Sequence, residues 1–190
     1  MKTKQQLRIE YRQLRKALDS EHVEENSRKI RDRFVEWLGD HPDYTHFHLF
    51  FPIDRFNEVN TFYIKEVLED SEKVLYTSQT NRANTALETL KLPRDAAFFS
   101  DEWGIPVPQE SIMVSPSKIQ VVLVPLLAYD RLGNRVGFGK GYYDGFLGPL
   151  GDSVVKIGLS FFEPEEEEFQ TDAHDVRLDM CITPENIYTF

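Results

Sequence analysis

The segment Gly133-Asn134-Arg135-Val136-Gly137-Phe138-Gly139-Lys140-Gly141-Tyr142-Tyr143-Asp144 concentrates more chemistry than any other part of the chain. Closely spaced glycines let backbone N–H groups approach an anion, and a helix beginning behind them adds a positive dipole end. Arg135 and Lys140 would bring charge to phosphates, and Asp144 in the first helical turn could hold a hard cation bridging phosphate oxygens. The spacing fits neither common phosphate loop. A Walker A needs four residues between its first glycine and Gly-Lys, then Ser or Thr, whereas five separate Gly133 from Gly139 and Gly141 follows Lys140. A dinucleotide fingerprint would need a glycine at Tyr142. Glycines alone are equally well read as a turn. The company of Arg, Lys, two Tyr and Asp favours a phosphate site.

Three further groups could serve it. Lys4, Arg8 and Arg12 stand at i, i+4 and i+8, a like-charge row that costs a helix a few tenths of a kcal/mol per pair. Lys4 and Arg8 border the apolar stripe and could reach a cleft, although a solvated basic face is the commoner explanation of such a row. Asp175 and Asp179 offer two carboxylates near the C-terminus, and Asp175 with Asp144 would suffice for Mg2+, which fills its shell with water and phosphate. One of Tyr142 and Tyr143 is expected in the core, leaving the other to stack on a flat ring. The histidines lack transition-metal spacing, and His46 and His48 read as structural. No GxSxG elbow occurs, and Cys181 between Met180 and Ile182 reads as an inert buried thiol.

These residues need a scaffold. Leu7, Tyr11, Leu14 and Leu18 predict an amphipathic helix over residues 3–18. Asp19 and Ser20 can cap a second, with a stripe of Val23, Ile30, Phe34, Trp37 and Leu38 and with Gly39 and Pro42 past its end. A strand over 46–51 leads to a helix capped by Asn60 or Thr61 and ending near Asp70, then to a strand over 73–78. Residues 119–127 are a β-branched run without alternation, as expected of a strand buried on both faces. A short helix over 142–150, closed by Gly151, and a strand over 154–159 repeat the strand-loop-helix-strand order. Residues 103–108, rich in Pro and Gly, read as an ordered loop. The acidic run 163–168 reads as a solvated loop without function.

The 190 residues, 41% of them apolar, suit one α/β domain, 1–190, with a single core. No apolar stretch could span a bilayer and no signal-peptide core precedes the first helix, so a soluble, unprocessed protein is expected. The single cysteine excludes an intrachain disulfide and fits the cytoplasm. A net charge of −10 argues against nucleic acid as a partner. Basic islands at residues 1–16 and at Arg131, Arg135 and Lys140 remain for an anion.

Lys4-x-x-x-Arg8, Glu58-Val59-Asn60-Thr61, Trp103-Gly104-Ile105-Pro106, the glycine-rich segment, and Asp175 with Asp179 together resemble the 5-formyltetrahydrofolate cyclo-ligase (methenyltetrahydrofolate synthetase) family. The resemblance implies a three-layer α/β/α sandwich around a mainly parallel sheet. It implies a ligase that closes 5-formyltetrahydrofolate to 5,10-methenyltetrahydrofolate with ATP and Mg2+, as a monomer acting on small molecules without nucleic acid or membrane. By position Lys4, Arg8 and Arg135 to Tyr143, that is Arg135, Val136, Gly137, Phe138, Gly139, Lys140, Gly141, Tyr142 and Tyr143, correspond to the ATP site. Ile53, Glu58 and Phe138 to Tyr142 correspond to the folate site, Asp144 and Asp175 to magnesium, and Lys140 and Arg135 to the residues that stabilise the transferred phosphate. Glu58 could accept hydrogen bonds from the donor edge of a pterin. Phe138 departs from the arginine that many members carry between these glycines. A sugar-phosphate isomerase or CoA-transferase-like enzyme, or a catalytically weak folate-binding protein, could share this architecture.

Overall fold

The computed structural model describes residues 1–102 and 104–190. Helix α1 (Lys4–Lys16) starts at Thr3, whose hydroxyl accepts from Gln6 N while the Gln6 side chain accepts from Thr3 N, a reciprocal capping box. Helix α2 (Ser20–Asp40) is capped by Asp19 and takes in Gly39, so it runs two residues closer to Pro42 than the glycine suggests. Strand β1 (His46–His48) follows, then a 3-10 turn at 54–56 and α3 (Phe62–Asp70). Next come β2 (Val74–Asn81), β3 (Ala86–Lys91), β4 (Phe98–Ser100), β5 (Pro106–Pro108) and β6 (Ile112–Met113). The C-terminal half holds β7 (Val121–Pro125), β8 (Ala128–Tyr129), β9 (Arg135–Val136), α4 (Tyr142–Leu147), β10 (Val155–Leu159), β11 (Met180–Ile182) and β12 (Ile187–Thr189).

Eight strands form one sheet in the order β12-β11-β10-β7-β1-β2-β3-β6. Its five central strands are parallel, and β12, β3 and β6 join antiparallel at the edges. β7 shows why the sequence there lacks alternation: Val121 and Leu123 pack under α2 and α3, Val122 and Val124 under α4, and all four are fully buried. The molecule is therefore the expected three-layer sandwich. β1 continues through α3 to β2 on one side, while β7 continues through α4 to β10 on the other. The chain thus changes direction between neighbouring β1 and β7, and ligands of open α/β sheets bind at the carboxyl ends of the strands at such a switch point.

Some local readings change. Proline makes residues 103–108 look like loop, yet 106–108 pair with 98–100 as a two-stranded ribbon outside the main sheet, where missing N–H donors are tolerated; Trp103 itself lies outside the described residues. The acidic run is anchored. Glu165 Oε1 accepts from Tyr11 OH at 2.8 Å and its N–H donates to Tyr129 O at 2.8 Å, while Glu166 pairs with Arg131 and Glu167 with the N-terminal amine. The helix over 142–150 ends at Leu147 and gives way to 3-10 turns in which Gly151 takes φ 67°. No helix among the described residues is long and apolar enough to cross a membrane.

Candidate active site

A cleft of about 510 Å3 opens at the carboxyl ends of β1, β7 and β2. Its floor is the glycine-rich segment, which follows β8 through a tight turn organised by Asp130. That fully buried carboxylate accepts from Leu132 N and Asn134 N, both at 3.0 Å, and from Asn134 Nδ2 at 2.8 Å. Gly133 is obligatory there: its φ is 77°, and an added Cβ would stand 2.7 Å from Leu178 O. Gly139 and Gly141, at φ 90° and 72°, flank Lys140 and turn the chain into α4. α4 has only six residues, so side-chain charge must outweigh the helix dipole in holding an anion.

The cations differ in how they are held. Lys140 is exposed on the cleft and makes no hydrogen bond or ion pair among the described residues. Arg135 is buried; its Nη2 donates to Asp144 Oδ1 at 2.8 Å and its Nη1 to Val176 O, so it orients Asp144 as much as it offers charge. Arg8 Nε donates to Gly137 O at 3.0 Å, tying α1 to the loop. Lys4 Nζ is paired with Asp172 at 2.7 Å and with Asp175. Burial works against the Lys4 ammonium, but the hydrogen bonds to Asp172 and Asp175 prevail and raise its pKa. Asp144 and Asp175 border the same cavity, and each spends one oxygen on protein donors while the other is free among the described residues. Two free carboxylate oxygens beside a phosphate-shaped loop fit Mg2+, which needs few protein ligands. The described residues contain no cluster of three metal-ligating side chains.

Glu58 enters the opposite wall, beside Ile53. It is 6% exposed, and its Oε2 accepts from Ile53 N at 2.9 Å. Burial raises its pKa, opposed by the charge of Arg15 and the Ile53 N–H. Arg15 is itself buried, donates Nη2 to Leu126 O, and has Nε and Nη1 without partners among the described residues. A carboxylate this dry is a strong recognition group for hydrogen-bond donors.

Gly137 to Tyr143 all line the cleft, but Val136 does not: its side chain packs with Leu7 and Phe169 in the core, leaving only backbone near the loop. Tyr143 lies edge-on to His48 and Phe146, at 6.5 and 6.4 Å, and bridges two core clusters. Tyr142 lines the cleft and makes no such ring contact among the described residues. His48 shares a 2.7 Å hydrogen bond with Ser78 Oγ, and burial pushes it down to about 3, so it is neutral and structural. Cys181 is fully buried, and burial raises its thiol pKa. Asp179 is also structural, because its Oδ2 accepts from Lys156 N at 2.7 Å and pairs with Lys156 Nζ, stitching β10 to β11. Sequence reasoning missed Arg55, Phe56, Thr77, Ser78, Thr80 and Leu87, which reach the cleft from the 3-10 turn and the β2–β3 hairpin. Only the Asn57 left-handed φ of 45° marks that turn locally.

The 5-formyltetrahydrofolate cyclo-ligase family model matches residues 1–184. A 5-formyltetrahydrofolate cyclo-ligase of Mycoplasma pneumoniae is 35% identical over 102 residues, 52% of this chain and 62% of that protein. Its Mycoplasma genitalium counterpart is 33% identical over 100 residues, 50% and 60% of the two chains. The matched segments thus span about three fifths of the length of these curated relatives. Whole-chain likeness is clearer in structure. A 5,10-methenyltetrahydrofolate synthetase from Mycoplasma pneumoniae superposes with a TM-score of 0.76 at 28% identity, covering 95% of this chain and 98% of that one. The synthetase of Aquifex aeolicus gives 0.81 at 26% identity, with 98% and 92% covered. With its glycine-rich loop, its cleft at the strand switch point and a family match over nearly its whole length, the chain belongs to the 5-formyltetrahydrofolate cyclo-ligase family.

Proposed function

We propose that the chain converts 5-formyltetrahydrofolate to 5,10-methenyltetrahydrofolate, consuming ATP and releasing ADP and phosphate. One observation carries this reading: a cleft with an unpaired cation, Lys140, on a glycine-rich loop at one end and a buried carboxylate, Glu58, at the other. The formyl oxygen attacks the γ-phosphorus, and ADP leaves. N10 then attacks the formyl carbon, the carbon–oxygen bond breaks with phosphate as leaving group, and the N10 proton is released. Phosphorylation is needed because an amide oxygen is a poor leaving group. No protein nucleophile is required. The protein's work is to hold the oxygen in line and to meet charge on the transferred phosphate.

In this scheme Lys140 and Arg8 face the phosphates, Arg135 fixes Asp144, Tyr142 faces a ligand ring, and Glu58 accepts from the pterin donor edge. Mg2+, held by Asp144 and Asp175, would neutralise phosphate charge when bound. The reading takes two small molecules, a monomer and a cytoplasmic setting, without nucleic acid or membrane.

The test is purified protein with 5-formyltetrahydrofolate and MgATP, followed by the near-ultraviolet absorbance of the methenyl product. Product should form only when ATP and a divalent cation are both present; equal turnover without ATP would return the chain to an isomerase-like reading. Asp144→Asn and Asp175→Asn should each raise the magnesium concentration for half-maximal rate about tenfold, since each removes one of two anionic ligands. The folate KM should move less than about twofold. A variant that instead melts early with an unchanged magnesium curve would make its carboxylate structural.

Lys4→Ala combined with Arg8→Ala should raise the KM for ATP about tenfold or more, as the Arg8 contact is lost and Asp175 loses the Lys4 ammonium that holds it. Unchanged ATP constants would make the helix face mere scaffold.

A further inference from the structure

The three basic side chains that α1 sends to the cleft are not equivalent. Lys4 is neutralised by Asp172 and Asp175. Arg8 lies against the loop, so close that a Cβ on Gly139 would stand 3.0 Å from its Nε. Arg12 has no carboxylate partner among the described residues. Its Nη2 reaches Phe138 O at 3.4 Å, and its guanidinium carbon stands 5.6 Å from the centre of the Phe138 ring. That ring is backed by Phe56, with centroids 5.2 Å apart and planes inclined at 36°, and the Arg55 guanidinium lies 4.8 Å from the Phe56 ring. Arg12, Phe138, Phe56 and Arg55 thus form one column along the cleft wall, tying α1, the glycine-rich loop and the 54–56 turn together.

Such a column restrains a long side chain that would otherwise lose much rotamer freedom on meeting a ligand. An aromatic face orients the guanidinium plane without consuming its N–H donors, and a planar fork suits phosphate oxygens better than an ammonium. Nε and Nη1 of Arg12 accordingly have no acceptor among the described residues, and Arg12 lines the same cleft as Lys4 and Arg8. Phe138 brings no charge of its own to the loop. We propose that Arg12 is a further nucleotide-binding cation, held over the glycine-rich loop by the Phe138 ring so that its free guanidinium nitrogens meet a phosphate bound there. This rests on the ATP reading above; the geometry that carries it is Arg12's own.

The experiment compares wild type, Arg12→Ala, Phe138→Leu and the Arg12→Ala, Phe138→Arg double variant. MgATP binding is measured by calorimetry without folate, and KM values are measured for ATP and 5-formyltetrahydrofolate. Arg12→Ala should weaken MgATP about tenfold in both readouts, the loss of one charge-assisted contact, while folate KM moves less than about twofold. Phe138→Leu should weaken MgATP about threefold, since the cation remains but its support is gone. A guanidinium supplied from position 138 in the double variant should recover most of the Arg12→Ala loss. MgATP binding unchanged in Arg12→Ala, or a rise confined to the folate KM, would overturn the assignment. A wild type that binds MgATP but yields no methenyl product would remove the cyclo-ligase reading while calorimetry still decides Arg12.

Discussion

Lys140→Met is expected to lower turnover about 30- to 1,000-fold, or about 2 to 4 kcal/mol of transition-state stabilisation, the scale for one preorganised charge-stabilising donor. Lys140 is the cation best placed for such an effect. It sits between two glycines of positive φ, which bring the backbone to the ligand and leave the ammonium on a free stem. Neither a carboxylate nor a carbonyl engages it among the described residues, so its charge is available to an incoming phosphate at no cost of breaking a pair. Arg135 differs, being already spent on Asp144 and Val176 O. The loss should fall mainly on kcat, because charge builds on the transferred phosphate during the step, and Lys140→Arg should recover part of it. Stability should change by less than about 0.5 kcal/mol, as an exposed loop lysine contributes little packing. Turnover near wild type would reduce the loop to a glycine-rich turn.

Much of this scaffold is legible before folding, because its signals are local. The spacing of Leu7 and Tyr11 announces α1 and Asp19 announces α2, the unbroken apolar run announces β7, and glycine spacing announces the loop. What escapes notice is set by tertiary pairing. β3, with Ala86, Glu88 and Lys91, has little strand propensity and forms because β2 offers it an antiparallel edge. Its hairpin nonetheless supplies cleft residues such as Thr77, Ser78 and Leu87. Asp175 and Asp179 look alike in sequence, but register separates them: Asp179 abuts β10 and bonds Lys156, while Asp175 stays at the cavity. Burial of a charge is likewise invisible locally. The stripe places Leu14 inward, yet Leu14 is exposed and Arg15 is buried in its stead, and no local signal shows that Glu58 lies near enough to offset that charge.

That buried pair underlies the second large effect: Glu58→Gln should weaken 5-formyltetrahydrofolate about 30-fold or more, roughly 2 kcal/mol or above for loss of a charge-assisted acceptor in a dry site. The shape is nearly kept, and glutamine can still accept from Ile53 N, so the change removes charge and one acceptor but little packing. The sign of the pH dependence follows from burial. Glu58 has a folded pKa above its unfolded value, so its contribution to stability is present below the unfolded pKa and lost as pH rises through the folded one. Wherever it is ionised the buried carboxylate therefore costs stability, which the substitution relieves, while Arg15 loses the nearby charge that offsets its own desolvation. The two effects oppose, and the melting temperature should move little. Binding behaves differently. If the anion is the form that grips the pterin donors, kcat/KM for the folate falls as pH drops through the raised pKa, and this acid limb vanishes in Glu58→Gln while the MgATP constant is unchanged. Folate titrations and pH–rate profiles of the two proteins check this. A variant that keeps wild-type folate affinity and the same acid limb would assign the limb to another group and leave Glu58 as a counter-charge for Arg15.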